Sequence, residues 1–235
     1  MFRRTARKLI IGKGLPLDSI KQPTVRKRVE NVAAIWNNTY QEDAGLEKLV
    51  RLILATSQFL FPGMYIKHLF WRKGALVQDF AIEVFVLLKT AFPLLMLYFG
   101  WADRAWVLWL VFYLMLETLI YIPTLIFASD NFSNPRSYRR SKIMIFINYL
   151  EVVFSFDVIY AAGSYLNAPF RHWFDPLYFS FMSTSTIGYG DLFPITPTGK
   201  VLVSLQSLFY LSYIVLFIDF FRKGKEPGYF GEKQA

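Results

Sequence analysis

Four apolar stretches of 21 to 24 residues, at 80–100, 105–128, 143–166 and 200–221, set the first constraint on this 235-residue chain. A helix rises about 1.5 Å per residue, so each stretch covers the roughly 30 Å hydrocarbon core of a bilayer. Backbone amides and carbonyls cannot bond to water at that depth, and a uniformly apolar stretch satisfies them internally as a helix. Composition agrees, with 54% hydrophobic and 19% aromatic residues, too apolar for an ordinary soluble domain. The expected fold class is an all-α membrane protein with four transmembrane helices.

Charge sets the orientation. Basic residues gather at Arg72 and Lys73, at Arg136, Arg139, Arg140 and Lys142, and at Arg222, Lys223 and Lys225, whereas the opposite ends carry only Arg104, Arg171 and Lys200. The excess of positive charge on one side predicts that both termini are cytoplasmic, as an even number of spans requires. Residues 1–45 form a basic arm suited to anionic lipid headgroups. This reading is preferred over an organelle transit peptide, and no nucleic-acid-reading module accompanies the charge. Residues 46–65 are a fifth apolar stretch, interrupted by Lys48, Arg51, Gln58 and the Phe61-Pro62-Gly63 break. Spanning would carry the basic arm outside, so an interfacial helix on the inner leaflet is expected. Upstream, 24–38 reads as a cytoplasmic helix.

Between the third and fourth stretches lies D-P-L-Y-F-S-F-M-S-T-S at 175–185, then T-I-G-Y-G-D at 186–191. Asp followed by Pro reads as N-cap and first helical residue. Eleven residues make a helix of about 16 Å, half a bilayer, which predicts a re-entrant loop: a half-helix inward and an irregular return. Irregular backbone at such depth must be buried in protein or line a watery path. Gly188 and Gly190 supply backbone angles that other residues resist, so the carbonyls of Thr186, Ile187, Gly188 and Tyr189 can share one axis. The half-helix points its partial negative C-terminus at the bilayer centre, where a bare cation is most costly.

Thr186, Ile187, Gly188, Tyr189, Gly190 and Asp191, behind a half-helix and between two spans, resemble the selectivity filter of the potassium channel family. The resemblance covers 143–221. It implies a fold of outer helix, pore helix, filter and inner helix, and a homotetramer that closes a ring of four loops. It also implies K⁺ held by backbone oxygens of Thr186, Ile187, Gly188 and Tyr189 in place of water. Flux would be passive, with no cofactor and no nucleic-acid partner, in the plasma membrane. Alternatives are a potassium transporter subunit, which usually carries four weaker loops in one chain, and a non-conducting receptor or accessory protein. A lipid-modifying enzyme is disfavoured, because the chain lacks cysteine and its two histidines, His68 and His172, lie far apart.

Two departures from the family pattern stand out. The tryptophans that often brace the filter from the pore helix are replaced by Tyr178 and Phe179, and phenylalanine cannot donate a hydrogen bond. The inner-helix glycine that often permits bending corresponds to Tyr210, and 200–221 contains neither Gly nor Pro, so a hinge is unsupported. Ser207, Leu211, Ile214 and Ile218 share a helical face and are the candidates for cavity lining or a hydrophobic gate; packing against the outer helix is the other use of that face.

No repeated basic residues suit a voltage sensor in 105–128, and Lys89 is alone in 80–100. Lys89 and Glu117 sit at matching depth and are expected to pair, as is Asp219 with Arg222 and Lys223; Glu151 and Asp157 have no partner assigned by sequence. The expected division is a basic N-terminal region (1–45), an interfacial helix and linker (46–79), a peripheral two-helix region (80–142), a pore domain (143–221) and a short cytoplasmic tail (222–235) too small for a ligand-binding domain.

Overall fold

The computed structural model describes residues 23–39, 44–127 and 138–223, with side chains undescribed at 138–139 and 219–223. Among the described residues, regular structure is helical apart from one isolated bridge. The chain divides into two compact units, one up to Phe85 and one from Val86.

The first unit contains helix α1 (Thr24–Trp36), α2 (Gly45–Ser57) and α3 (Pro62–Leu69). α1 packs on both α2 and α3, and Arg26 and Glu30 pair across one turn at 3.0 Å. The expected break falls where predicted. Phe61 is extended before Pro62, as the proline ring requires of its predecessor, and the chain turns by 64° between 45–60 and 62–69. On α2, Arg51, Leu54 and Ala55 are buried while Leu46, Leu49 and Ile53 stay exposed at 76%, 57% and 57%. The outward stripe is therefore apolar, the reverse of what a helix bathed in water presents. By length and composition the bent pair also qualifies as one broken span.

The four spanning helices are α4 (Ala75–Tyr98), α5 (Ala105–Phe127), α6 (Tyr138–Ala161) and α8 (Pro197–Lys223), with the half-helix α7 (Asp175–Thr184) between the last two. The third span ends five residues earlier than its apolar run suggests. Gly163 turns the chain so tightly that a Cβ there would stand 2.3 Å from Tyr165 Cζ, and Leu166 then forms an antiparallel bridge to Pro194. The apolar residues at 162–166 thus belong to a loop. The fourth helix starts three residues early, at Pro197, because Thr196 Oγ1 accepts a bond from Gly199 N at 3.1 Å: a threonine cap followed by proline, both favoured at a helix start.

α6 is the hub. It packs against α5, α7 and α8 and supplies residues to both apolar clusters: Val152, Phe156 and Tyr160 with Met115, Ile122, Phe179 and Tyr213, and Val158 with Val107, Val111 and Leu177. Of the third span 56% is buried, against 17% of the fourth. Within the chain α8 therefore keeps a long open face. Lipid tails are as apolar as leucine, so close packing and interhelical polar bonds, rather than expulsion of water, hold such helices together.

Candidate functional site

The half-helix α7 is anchored at its entrance by Asp175. The sequence suggests that this carboxylate caps its own helix. Instead Asp175 Oδ2 accepts from Arg171 N at 2.7 Å and His172 N at 2.9 Å and makes no cap bond. Its donors lie in the preceding turn, so the residue fastens the loop to the helix start, while Pro176 occupies the first turn as expected. At the other end Ser185 N bonds to Phe181 O at 2.8 Å, which makes Thr184 the last helical residue.

The backbone then alternates in hand. Thr186, Gly188 and Gly190 have φ of +59°, +54° and +80°, and the intervening Ile187 and Tyr189 are not in that region. In an extended strand successive carbonyls face opposite ways; reversing the backbone hand at every second residue brings them to one side. Glycine takes positive φ without steric cost, but for the β-branched Thr186 it is a genuine outlier, a conformation that persists only where the surroundings impose it. Ile187 and Tyr189 are exposed at 54% and 72%.

Two sets of contacts brace this stretch. At its outer end the bonds come from residues 165–167. Asn167 Nδ2 donates to Asp191 O at 3.0 Å, and Asn167 Oδ1 accepts from Phe193 N at 2.8 Å. Tyr165 O receives Ile195 N at 3.0 Å, so the descending loop is sewn to 165–167. At the inner end, Gln206 of α8 meets Ser180 and Thr184 of α7 and Tyr160 of α6. Phe179 donates nothing and packs edge-on against Tyr160, centroids 4.8 Å apart. Neither Asn167 nor Gln206 was singled out by sequence; the only signal was an amide inside or beside an apolar run.

The suspected inner-helix face lies on the open side of α8. Leu211, Ile214 and Ile218 are exposed at 57%, 37% and 62%, whereas Tyr213 and Leu216 of the opposite side are buried. Ser207 is half-buried and bonds back to Val203 O at 2.9 Å. Packing against the outer helix within the chain thus does not use Leu211, Ile214 or Ile218.

Lys89 and Glu117 do pair, Nζ to Oε2 at 3.5 Å, and the fully buried Glu151 of α6 joins them at 3.8 Å. Lys89 Nζ also donates to Thr118 Oγ1 at 2.5 Å, and Ser155 Oγ lies 3.4 Å from Glu151 Oε1. One ammonium therefore links α4, α5 and α6 in the apolar layer. Asp157 is buried, with neither carboxylate oxygen hydrogen-bonded to a side chain. The suspected pairing of Asp219 with Arg222 and Lys223 lies outside the described side chains.

Residues 143–223 match the model of a family described as "Ion channel". A hyperpolarization-activated voltage-gated potassium channel of Methanocaldococcus jannaschii is 33% identical over 67 residues, 28% of this chain and 32% of that protein. The human potassium voltage-gated channel subfamily KQT member 4 is 33% identical over 82 residues, 34% of this chain and 12% of that protein, and its rat counterpart matches equally. The chain thus covers a third or less of the length of these relatives. No solved structure matches.

Proposed function

We propose that this chain, whose residues 143–223 match an ion-channel family model and are similar to potassium channels, conducts K⁺ passively and selectively across the plasma membrane as a homotetramer. Four copies of 186–190 surround one axis, and carbonyls of Thr186, Ile187, Gly188 and Tyr189, with the Thr186 hydroxyl, replace the hydration shell of the ion. The observation that carries this reading is the alternation of backbone hand at Thr186, Gly188 and Gly190 directly after a half-helix. Neutral carbonyl rings compensate for lost water and still let a monovalent ion leave, and the C-terminus of α7 adds partial negative charge below them. The open face of α8 supports cavity lining by Ser207, Leu211, Ile214 and Ile218, with the ring of Ile218 closing by dewetting.

Gating does not run through a voltage sensor in the first two spans. α5 carries no basic residue, and Lys89, alone in α4, is committed to Glu117 and Glu151. The division at 1–45, 46–79, 80–142, 143–221 and 222–235 rests on the apolar runs and the filter-like loop, and the cytoplasmic termini, with anionic lipid beneath the basic arm, rest on charge placement.

Purified protein in liposomes is expected to pass K⁺ or Rb⁺ far better than Na⁺. Equal Na⁺ flux points instead to a transporter-like or leaky pore, and no flux at all to an accessory protein; either overturns the proposal.

Residues 46–65 lie along the inner leaflet, with Leu46, Leu49 and Ile53 dipping into it. The sequence has no cysteine, so a single introduced thiol reports one position. A fluorophore on Leu49→Cys or Ile53→Cys is expected to be quenched by lipids brominated near the headgroup and spared by those brominated near the chain ends. Strong quenching by the deep label identifies a broken span.

A further inference from the structure

Gln206 uses every polar atom it has. Tyr160 OH donates to its Oε1 at 2.7 Å, and its Nε2 donates to Ser180 Oγ at 2.8 Å and Thr184 Oγ1 at 2.7 Å, with Ser180 O at 3.2 Å. The two hydroxyl protons are already committed: Ser180 Oγ donates to Val153 O at 2.7 Å and Thr184 Oγ1 to Ser180 O at 2.6 Å. Both hydroxyls can therefore only accept from Gln206, which fixes the amide with its nitrogen toward α7 and its oxygen toward Tyr160. Ser180 and Tyr160 have no exposed surface, and Gln206 and Thr184 have only 1% and 2%. A half-satisfied cluster this deep is costly, and a fully satisfied one is rigid.

The position of this cluster matters more than its strength. Ser180 and Thr184 occupy the last turn of α7, and Thr184 lies two residues before Thr186, the one non-glycine in the filter stretch held at positive φ. An L-residue there costs about 1–2 kcal/mol and keeps that conformation only if its supports are fixed. We infer that Gln206, with Ser180, Thr184 and Tyr160, is the positioning unit of the filter floor: it locks the end of the pore helix between the outer and inner helices, so that the Thr186 oxygens of four copies stay in register. The unit takes over at the inner end the bracing that Phe179 cannot give. This inference rests on the K⁺-conducting reading above.

The test compares the reconstituted full chain with Gln206→Leu, which keeps volume and removes all four contacts, and with Ser180→Ala/Thr184→Val. Two properties are measured: the K⁺/Na⁺ permeability ratio from the bi-ionic reversal potential, and the recovery of K⁺ current after exposure to Na⁺ alone. Gln206→Leu is expected to lower the ratio by roughly tenfold, equivalent to 1.4 kcal/mol at 25 °C, and to slow recovery. Adding the α7 substitutions should cause little further loss, since all three residues act as one unit. Tyr213→Phe, another buried polar change on α8, should alter neither property. If wild-type protein is K⁺-selective and Gln206→Leu matches it in both, the inference fails while the conduction reading stands. If wild-type protein passes no K⁺, both fail. Should Gln206→Leu not assemble, the isosteric Thr184→Val carries the same comparison, and an unchanged ratio with unchanged recovery overturns the inference.

Discussion

Gly188→Ala is expected to abolish Rb⁺ uptake by reconstituted protein while leaving helix content and assembly unchanged. Crowding within the chain is not the cause, because a Cβ at this position meets nothing of the chain within 4 Å. The penalty is in the backbone. Gly188 sits at φ +54°, where an L-residue costs about 1–2 kcal/mol, and a ring of four copies incurs it four times. The cheaper response is for alanine to revert to negative φ, which swings a carbonyl off the axis and leaves an ion site without one of its ligand rings. A D-alanine introduced at 188 by chemical ligation favours positive φ and should retain flux, which separates backbone hand from side-chain bulk. Uptake that survives L-alanine would remove the backbone argument for the filter.

Lys89→Met is expected to lower stability by about 3–5 kcal/mol, the range for removing one member of a buried ion pair. The exposed fractions of the Lys89, Glu117 and Glu151 side chains are 3%, 14% and 0%. Without the ammonium, Glu117 and Glu151 face each other in an apolar layer that solvates neither. Much of the loss should return when Glu117→Gln and Glu151→Gln are added, because neutral amides leave no uncompensated charge. Denaturant titration of the detergent-solubilised protein measures both effects. A midpoint for Lys89→Met equal to that of wild type would mean that the ammonium does not tie the three spans together.

Much of the architecture could be read along the chain. The apolar runs located four spans, Phe61-Pro62 located the break between α2 and α3, and Asp175-Pro176 located the start of the half-helix. The T-I-G-Y-G-D run pointed to an irregular stretch with positive φ at Gly188 and Gly190, because glycine positions report on local backbone angles, which sequence encodes directly. Lys89 and Glu117 could be paired by depth alone, since depth is simply distance along a helix from its end.

What sequence left open depends on which way a helix faces. Glu151 completes the Lys89 site because α6 turns that side toward α4 and α5; hydropathy registers only that a carboxylate lies in an apolar run. Leu166 is apolar enough for a span, yet Gly163 and Tyr165 redirect the chain into the loop that pairs with Pro194 and Ile195. By itself, then, the sequence determined where the four long apolar helices lie, where the chain breaks and where the backbone reverses its hand, because each of these is set by neighbours in the chain. Only the tertiary structure decided that Gln206, 22 residues beyond Thr184 and 46 beyond Tyr160, stands behind that stretch. A donor and an acceptor so far apart meet only when three helices have fixed their rotations about their own axes.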